Sequence, residues 1–314
     1  MSQPLGHEFV GFLSDLGVLA PSSTAALPTS SATFPDGAAY HVEIPSVEGP
    51  EALKVVLAAA AELGVRVHRI SQGSGIMMQT DSEIREMVAI GQQNAVEICL
   101  FVGPRAEWDT GVQASSKGGR AVASTLRGGD QLVAGLEDVR HGCELGLRSI
   151  LVADLGQLWV LGKMRDAGLL PADLRFKVSA SLPASNPATA RLLQDLGADT
   201  INVPVDLSVA QLAELRSAID VPIDMYIEAP DDFGASLRYY DVPEIVRVAA
   251  PVHLKFAVRN ARGIYPYGHH LRNHALDTAR ERVRRAALAI QILERPNRID
   301  HTIVTGGLAG HLPT

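Results

Sequence analysis

Residues 252–260, VHLKFAVRN, alternate without a break: Leu254, Phe256 and Val258 fall on one side, and His253, Lys255, Ala257 and Arg259 on the other. Successive side chains of a strand point to opposite faces, so this stretch predicts a strand with one apolar face and one polar face. Working outward towards the N-terminus, similar short apolar or alternating stretches recur at 40–47, 65–71, 96–104, 147–154, 174–182, 199–204 and 222–229. Between them lie helical stretches at 50–63, from Thr80 onward, and at 130–145, 157–167, 186–196, 208–219 and 243–250, with a last one at 278–293. Gly64 and Gly197 stand where helices should stop, and Thr80 with Glu83 forms a capping-box pattern. Repeated strand–helix units make a parallel sheet that must bury both faces, which predicts an α/β fold, a single (β/α)8 TIM barrel. An open doubly wound sheet would carry a Gly-rich fingerprint after its first strand, but PSVEGP is no such motif.

The chain has 314 residues, enough for one such barrel. The expected organisation is an N-terminal extension over 1–39, the barrel over 40–295 and a tail over 296–314. The extension shows a weak helical pattern through Phe9, Phe12, Leu13 and Leu16, then a Ser/Thr/Pro/Ala-rich run that wraps the surface or covers one barrel end. A net charge of −7 gives no general attraction for nucleic acid or anionic membrane, and no apolar run is long enough to span a bilayer. With two cysteines, Cys99 and Cys143, there is no disulfide framework, and a cytoplasmic location is expected. The basic stretch Arg280–Arg285 is either an interface between copies, as in a homo-oligomer, or a solvated face.

If the apolar face of each strand packs on helices, the other face points into the barrel. That rule turns inward His41 and Glu43; Arg69 and Ser71; Glu97, Cys99 and Phe101; Lys177, Ser179 and Ser181; Thr200 and Asn202; Asp224, Tyr226 and Glu228; and Lys255 and Arg259. Asp154 ends the fourth strand. Unpaired buried charge costs several kcal/mol per ion, so these groups must pair, hold a metal or face a wet pocket. Barrel active sites lie at the C-terminal ends of strands, which directs attention to Glu43, Ser71, Asp154, Ser181, Glu228 and Arg259. Lys177, Glu97 and Asp224 are balanced between site and structural ion pair.

Several chemistries fit this set. Arg69 and Arg259 match a substrate carboxylate or phosphate, with Lys255 as a further cation and Ser71, Lys177, Ser181 and Asn202 as further binding groups. Glu43 and Glu228 can transfer protons or, with Asp154, hold a divalent ion; an all-oxygen set suits Mg²⁺ or Mn²⁺ better than Zn²⁺. His270 and His274 are four apart but lack the intervening Glu of a zinc-protease helix. Lys177 or Lys255, desolvated beside another cation, is a candidate Schiff-base amine. The Gly/Ser-rich segment 105–129, with Arg105 and Trp108, is longer than a βα connection requires and has the character of a lid. Gln72-Gly73-Ser74-Gly75 is a turn that can also present N–H groups to an anion.

Residues 178–229 also resemble the peptidase family U32. The resemblance is carried by Ser179, Leu182, Asn186, Leu196-Gly197-Ala198, Leu207-Ser208 and Met225-Tyr226-Ile227, and by the helix over 50–63. It implies a TIM barrel. Family members carry a His-Gly after the seventh strand and four cysteines for an iron–sulfur cluster; here Glu228-Ala229 and two cysteines stand instead, so no such cluster is expected. The expectation is therefore a barrel enzyme, a hydrolase or lyase, acting on a small anionic polar substrate. The alternatives are a lysine Schiff-base aldolase or lyase, and a non-catalytic binding or accessory protein.

Overall fold

Eight short strands carry the barrel: β1 (Tyr40–Pro45), β2 (Arg69–Gln72), β3 (Glu97–Phe101), β4 (Ser149–Val152), β5 (Arg175–Val178), β6 (Thr200–Asn202), β7 (Ile223–Glu228) and β8 (Val252–Phe256). Each pairs in parallel with the next. β8 closes on β1 through the register Val42↔Leu254 and Glu43↔Lys255. This computed structural model describes residues 27–295 apart from residues 110 and 183; the helical pattern near Phe9 and the tail over 296–314 lie outside the described residues.

The helices on the outside are α1 (Pro50–Leu63), α2 (Asp81–Asn94), α3 (Gly128–Glu144), α4 (Leu155–Asp166), α5 (Pro187–Asp195), α6 (Val209–Ala218), α7 (Val242–Ala249) and α8 (Arg272–Leu293). Their starts follow from side chains that satisfy the orphan N–H groups of the first turn. Thr80 and Glu83 form the reciprocal capping box of α2, Ser208 and Gln211 that of α6, and Asn186 caps α5. α1 begins with Pro50 and ends at Gly64, whose φ of 67° is the left-handed conformation that glycine adopts without strain.

Val42, Ile44, Ile70, Leu100, Ile150, Val152, Phe176, Val178, Ile201, Met225, Leu254 and Phe256 join one apolar layer between strands and helices. Burial of this continuous surface is the main stabilising contribution. The polar face of the same strands is thereby forced inward. At the N-terminal end, residues 27–39 lie across the barrel: Ser30 bonds to the carbonyls of Arg247 and Ala250, and the Phe34 ring stacks on His41 at 3.7 Å.

The strands end earlier than the alternation suggests. β5 stops at Val178 and β8 at Phe256, so Ser181 and Arg259 sit in loops beyond the ladder. The reason is that the chain must leave the sheet to reach the next helix, while its side chains keep the same apolar pattern. In the other direction α8 starts at Arg272, taking in His274. The Arg280–Arg285 stretch is not a free basic face: Arg280 pairs with Glu62, Arg284 and Arg285 with Glu281, and Arg282 is buried.

Candidate active site

The inward side chains of six strands meet in one buried ionic network. Arg69 grips Glu43 with two bonds, from Nε at 2.8 Å and from Nη2 at 2.6 Å to Oε2. Its Nη2 also donates to Asp224, and its Nη1 to the Thr200 hydroxyl at 3.2 Å. Glu43 Oε1 accepts from Ser71 Oγ at 2.6 Å and from Lys177 Nζ, and Lys255 Nζ lies 3.7 Å from the same oxygen. Asp224 in turn accepts from Thr200 Oγ1 at 2.9 Å. Asn202 orients Lys255: its Nδ2 donates to the Val178 carbonyl at 2.6 Å, leaving Oδ1 to accept from Lys255 Nζ at 2.5 Å. The same ammonium sits 4.1 Å above the Tyr226 ring.

The electrostatics follow from burial. Desolvation alone would raise the Glu43 carboxyl, but Arg69, Lys177 and Lys255 hold it far below the usual carboxylate range. Asp224 is likewise driven down, by Arg69 and Lys177 against its own burial. Lys177 is lowered, first by desolvation and then by Arg69. His253, whose Nδ1 is 2.8 Å from Asp224 without hydrogen-bond alignment, is pushed by burial down to about 4 and is therefore neutral near pH 7. Burial raises the Cys99 thiol to about 11, so it is an unreactive neighbour.

The charges do not balance. Arg69, Lys177 and Lys255 are 1%, 1% and 3% exposed, against two wholly buried carboxylates, Glu43 and Asp224, which leaves one positive charge in excess. Glu97 borders the network at 3.8 Å from Arg69, but it has its own outer partner in Arg175 at 2.9 Å and does not change the difference. Above this floor the C-terminal mouth has an apolar wall of Cys99, Phe101, Leu151 and Ala153, and opposite it Val205, Tyr226, Ala229 and Ala257. Tyr226, 8% exposed, is kept protonated by burial and by Glu43, and its hydroxyl has no hydrogen-bond partner among the described residues.

The anticipated carboxylate set does not converge. A β-bulge between Tyr226 and Glu228 breaks the alternation, and Glu228 lies in register with Phe256 on the helix-facing side. There it accepts from the Tyr239 hydroxyl and from the Arg259 backbone N–H at 3.0 Å, with Arg285 at 3.6 Å. Asp154 is the N-cap of α4, its oxygens taken by the N–H groups of Gln157 at 2.8 Å and Leu126 at 3.1 Å. With Glu43 saturated as well, these residues do not fit a shared Mg²⁺ or Mn²⁺. Arg259 faces Asp231 at 3.5 Å rather than the floor, and Ser181 turns back to Ser179 through its N–H. The structure therefore brings together Glu43, Arg69, Ser71, Lys177, Asn202 and Lys255, and leaves Asp154, Ser181, Glu228 and Arg259 outside that network.

His274 Nε2 is 3.0 Å from the Arg262 carbonyl. Asp36, His41 and His68 lie close together at the opposite, N-terminal end, but the two imidazoles are stacked 4.0 Å apart in near-parallel planes, His68 Nδ1 accepts from the Val42 N–H at 3.1 Å, and His41 Nε2 is bonded to Asp36 at 3.0 Å, an arrangement that does not converge on one ion. The 105–129 segment forms three short 3-10 turns and packs on itself through Ala106, Ala114 and Ala123. Arg105 is sandwiched between Phe101 and Trp108, each ring 3.8 Å from its guanidinium carbon, and donates to the Gly73 carbonyl at 2.8 Å.

Fold and interior together define a closed (β/α)8 barrel with an electropositive floor. No protein-family profile and no curated protein sequence matches the chain. Among solved structures, it is similar to a U32 peptidase, at 15% identity over 60% of this chain and 69% of that one, with a TM-score of 0.38. It is also similar to the thiamine phosphate pyrophosphorylase from Pyrococcus furiosus, at 8% identity over 81% and 96% of the two chains, with a TM-score of 0.45. A third is a 3-hexulose-6-phosphate synthase, at 14% identity over 78% and 99%, with a TM-score of 0.41. Likeness at this level identifies no reaction. Among the described residues no helix is long and apolar enough to cross a membrane.

Proposed function

We propose that this barrel is an enzyme of lyase type that takes a small organic acid at its C-terminal mouth, with the substrate's carboxylate or phosphate directed to Lys255. The observation that carries the reading is the uncompensated positive charge in the floor, three buried cations over two carboxylates. An incoming anion supplies the missing charge in a site of low dielectric, where the attraction is strong. Lys255 is the most exposed of the three cations, and Asn202 and the Tyr226 ring hold it in place.

The same floor disfavours hydrolysis. Activating water requires a base, and both Glu43 oxygens are occupied by donors that keep it ionised. Fixed positive charge instead stabilises the electron pair left when a bond beside a carbonyl breaks, as in an enolate. The Tyr226 phenol, protonated and with no hydrogen-bond partner among the described residues, is the candidate to return a proton.

The test is a melting-temperature comparison with acetate, propionate, pyruvate and inorganic phosphate against acetamide and propionamide. The anions should stabilise the wild type and the amides should not, and Lys255→Met should abolish the difference while remaining folded. Stabilisation that persists in Lys255→Met would overturn the assignment. With a turned-over substrate in hand, Tyr226→Phe should lower kcat by about 10²–10⁴-fold; full turnover would reduce the mouth to a binding site.

A second reading rests on Lys177, buried in the barrel beside Arg69, whose proton affinity is lowered by desolvation and by that guanidinium in the direction that a Schiff-base amine needs. Borohydride reduction in the presence of pyruvate would attach a stable adduct to Lys177 in that case, and none under the first reading.

A further inference from the structure

A second polar constellation occupies the corner of the mouth after β1 and β2, and none of its members belongs to the ionic floor. Glu48 is 2% exposed; its Oε1 accepts from the Gly73 N–H at 2.8 Å, and its Oε2 has no hydrogen-bond partner among the described residues. Arg282 reaches in from α8 and is 5% exposed; its Nη1 donates to the Ser46 carbonyl at 3.1 Å, and its Nε–H has no hydrogen-bond partner among the described residues. Arg282 holds the carbonyl of Ser46, two residues before Glu48, and Tyr265 spans from Ser46 to Gly73, the residue that Glu48 holds, so the two groups border the same turn. An unpartnered acceptor and an unpartnered donor, both buried, flank the same corner. Leaving either without a hydrogen bond is unfavourable, so a group that satisfies both is favoured there.

The corner is held in shape by backbone strain. Ser46 has a φ of 59°, the left-handed region, and its hydroxyl accepts from Tyr265. Tyr265 lies over Gly73, where a Cβ would meet the ring at 2.4 Å, while 46% of this tyrosine remains exposed. It is thus a cover attached to a loop rather than a core residue.

We propose that Glu48 and Arg282 form a hydroxyl-recognition subsite, so that the substrate class of this mouth is a small hydroxy acid. The assignment rests on the proposed role of Lys255 as the anion-holding group. A hydroxyl donates towards Glu48 Oε2 and accepts from Arg282 Nε–H in one position. A second carboxylate would meet that of Glu48, and an ammonium would meet the guanidinium of Arg282. Burial raises the Glu48 carboxyl, opposed by the Gly73 N–H and by the adjacent Ser74, and a hydroxyl suits either of its protonation states.

The experiment is calorimetric titration of the full chain with propionate, both enantiomers of lactate and both of glycerate. At least one hydroxy acid should bind tenfold or more tightly than propionate. Arg282→Lys, which keeps the cation but removes the Nε–H, should bring that ratio to about one while propionate affinity stays unchanged, which also reports an intact mouth. Glu48→Gln should lower the ratio severalfold. Equal affinity of the wild type for lactate, glycerate and propionate would overturn the hydroxyl subsite, mark the corner as a water site and leave Lys255 standing. Binding of none of the five acids would overturn both assignments.

Discussion

Glu43 and Lys255 face each other in register across the closure of the barrel, yet their removal should have opposite consequences. Glu43→Gln leaves three buried cations with one carboxylate, and breaking a buried network from one side costs about 3–5 kcal/mol. Lys255→Met removes the surplus charge and fills a similar volume, so it should change stability little, the lost bond to Asn202 being offset by relief of repulsion. Urea unfolding of the two variants checks this, and a Glu43→Gln protein as stable as wild type would show that the network is not energetically coupled. At this scale Glu43, Arg69, Lys177 and Lys255 were legible from alternation alone. Glu48 and Arg282 were not, because one lies past the end of a strand and the other on a helix, where no period of two marks the inward side.

Asp154 and Gly91 show what the helices demand of single positions. Asp154 occupies a strand end, where a carboxylate invites a catalytic or metal reading, but its work is at the first turn of α4. Asp154→Ala should cost about 1 kcal/mol, as loss of an N-cap does, and the loss should be the same with EDTA or with added Mg²⁺. A metal-dependent difference in denaturation midpoint would reinstate the ligand role. Gly91 lets α2 approach β3 so closely that a Cβ would stand 2.5 Å from the Ile98 side chain and 2.7 Å from the Val96 carbonyl. Gly91→Ala should therefore destabilise by about 1–3 kcal/mol despite alanine's better helix propensity, and a higher melting temperature would refute the close contact.

The two ends of the barrel give the whole molecule its pH response. At the N-terminal end Phe34, His41 and His68 stack in sequence beside His253. Burial lowers all three histidines, His68 and His253 to about 4. A depressed folded-state pKa means that, below the ordinary value of 6.5, the unfolded chain binds protons that the folded chain refuses. Stability contributed by these rings is thus complete above about pH 6.5 and is lost as pH falls towards 4. For the fully buried His253 the loss is on the order of 3 kcal/mol. Glu43 and Asp224, also lowered, extend the decline to still lower pH. Melting temperature should fall continuously below pH 6.5, and His68→Phe, which preserves the stack, should flatten the upper part of that limb. A flat profile from pH 6.5 to 5 in the wild type would show that these histidines are not held neutral.

The sequence by itself determined the barrel, the eight strand–helix units and most of the inward charges, because period-two alternation and helix caps are local signals that burial of a closed sheet reinforces. Only the tertiary structure decided which charges meet. The β-bulge at Tyr226 and Glu228 turned one anticipated carboxylate away from the interior, and the cap of α4 claimed another. The surplus of one positive charge under the mouth, which gives Lys255 its proposed role, comes from residues on five different strands. Such a sum depends on distances across the barrel, and no spacing along the chain encodes it.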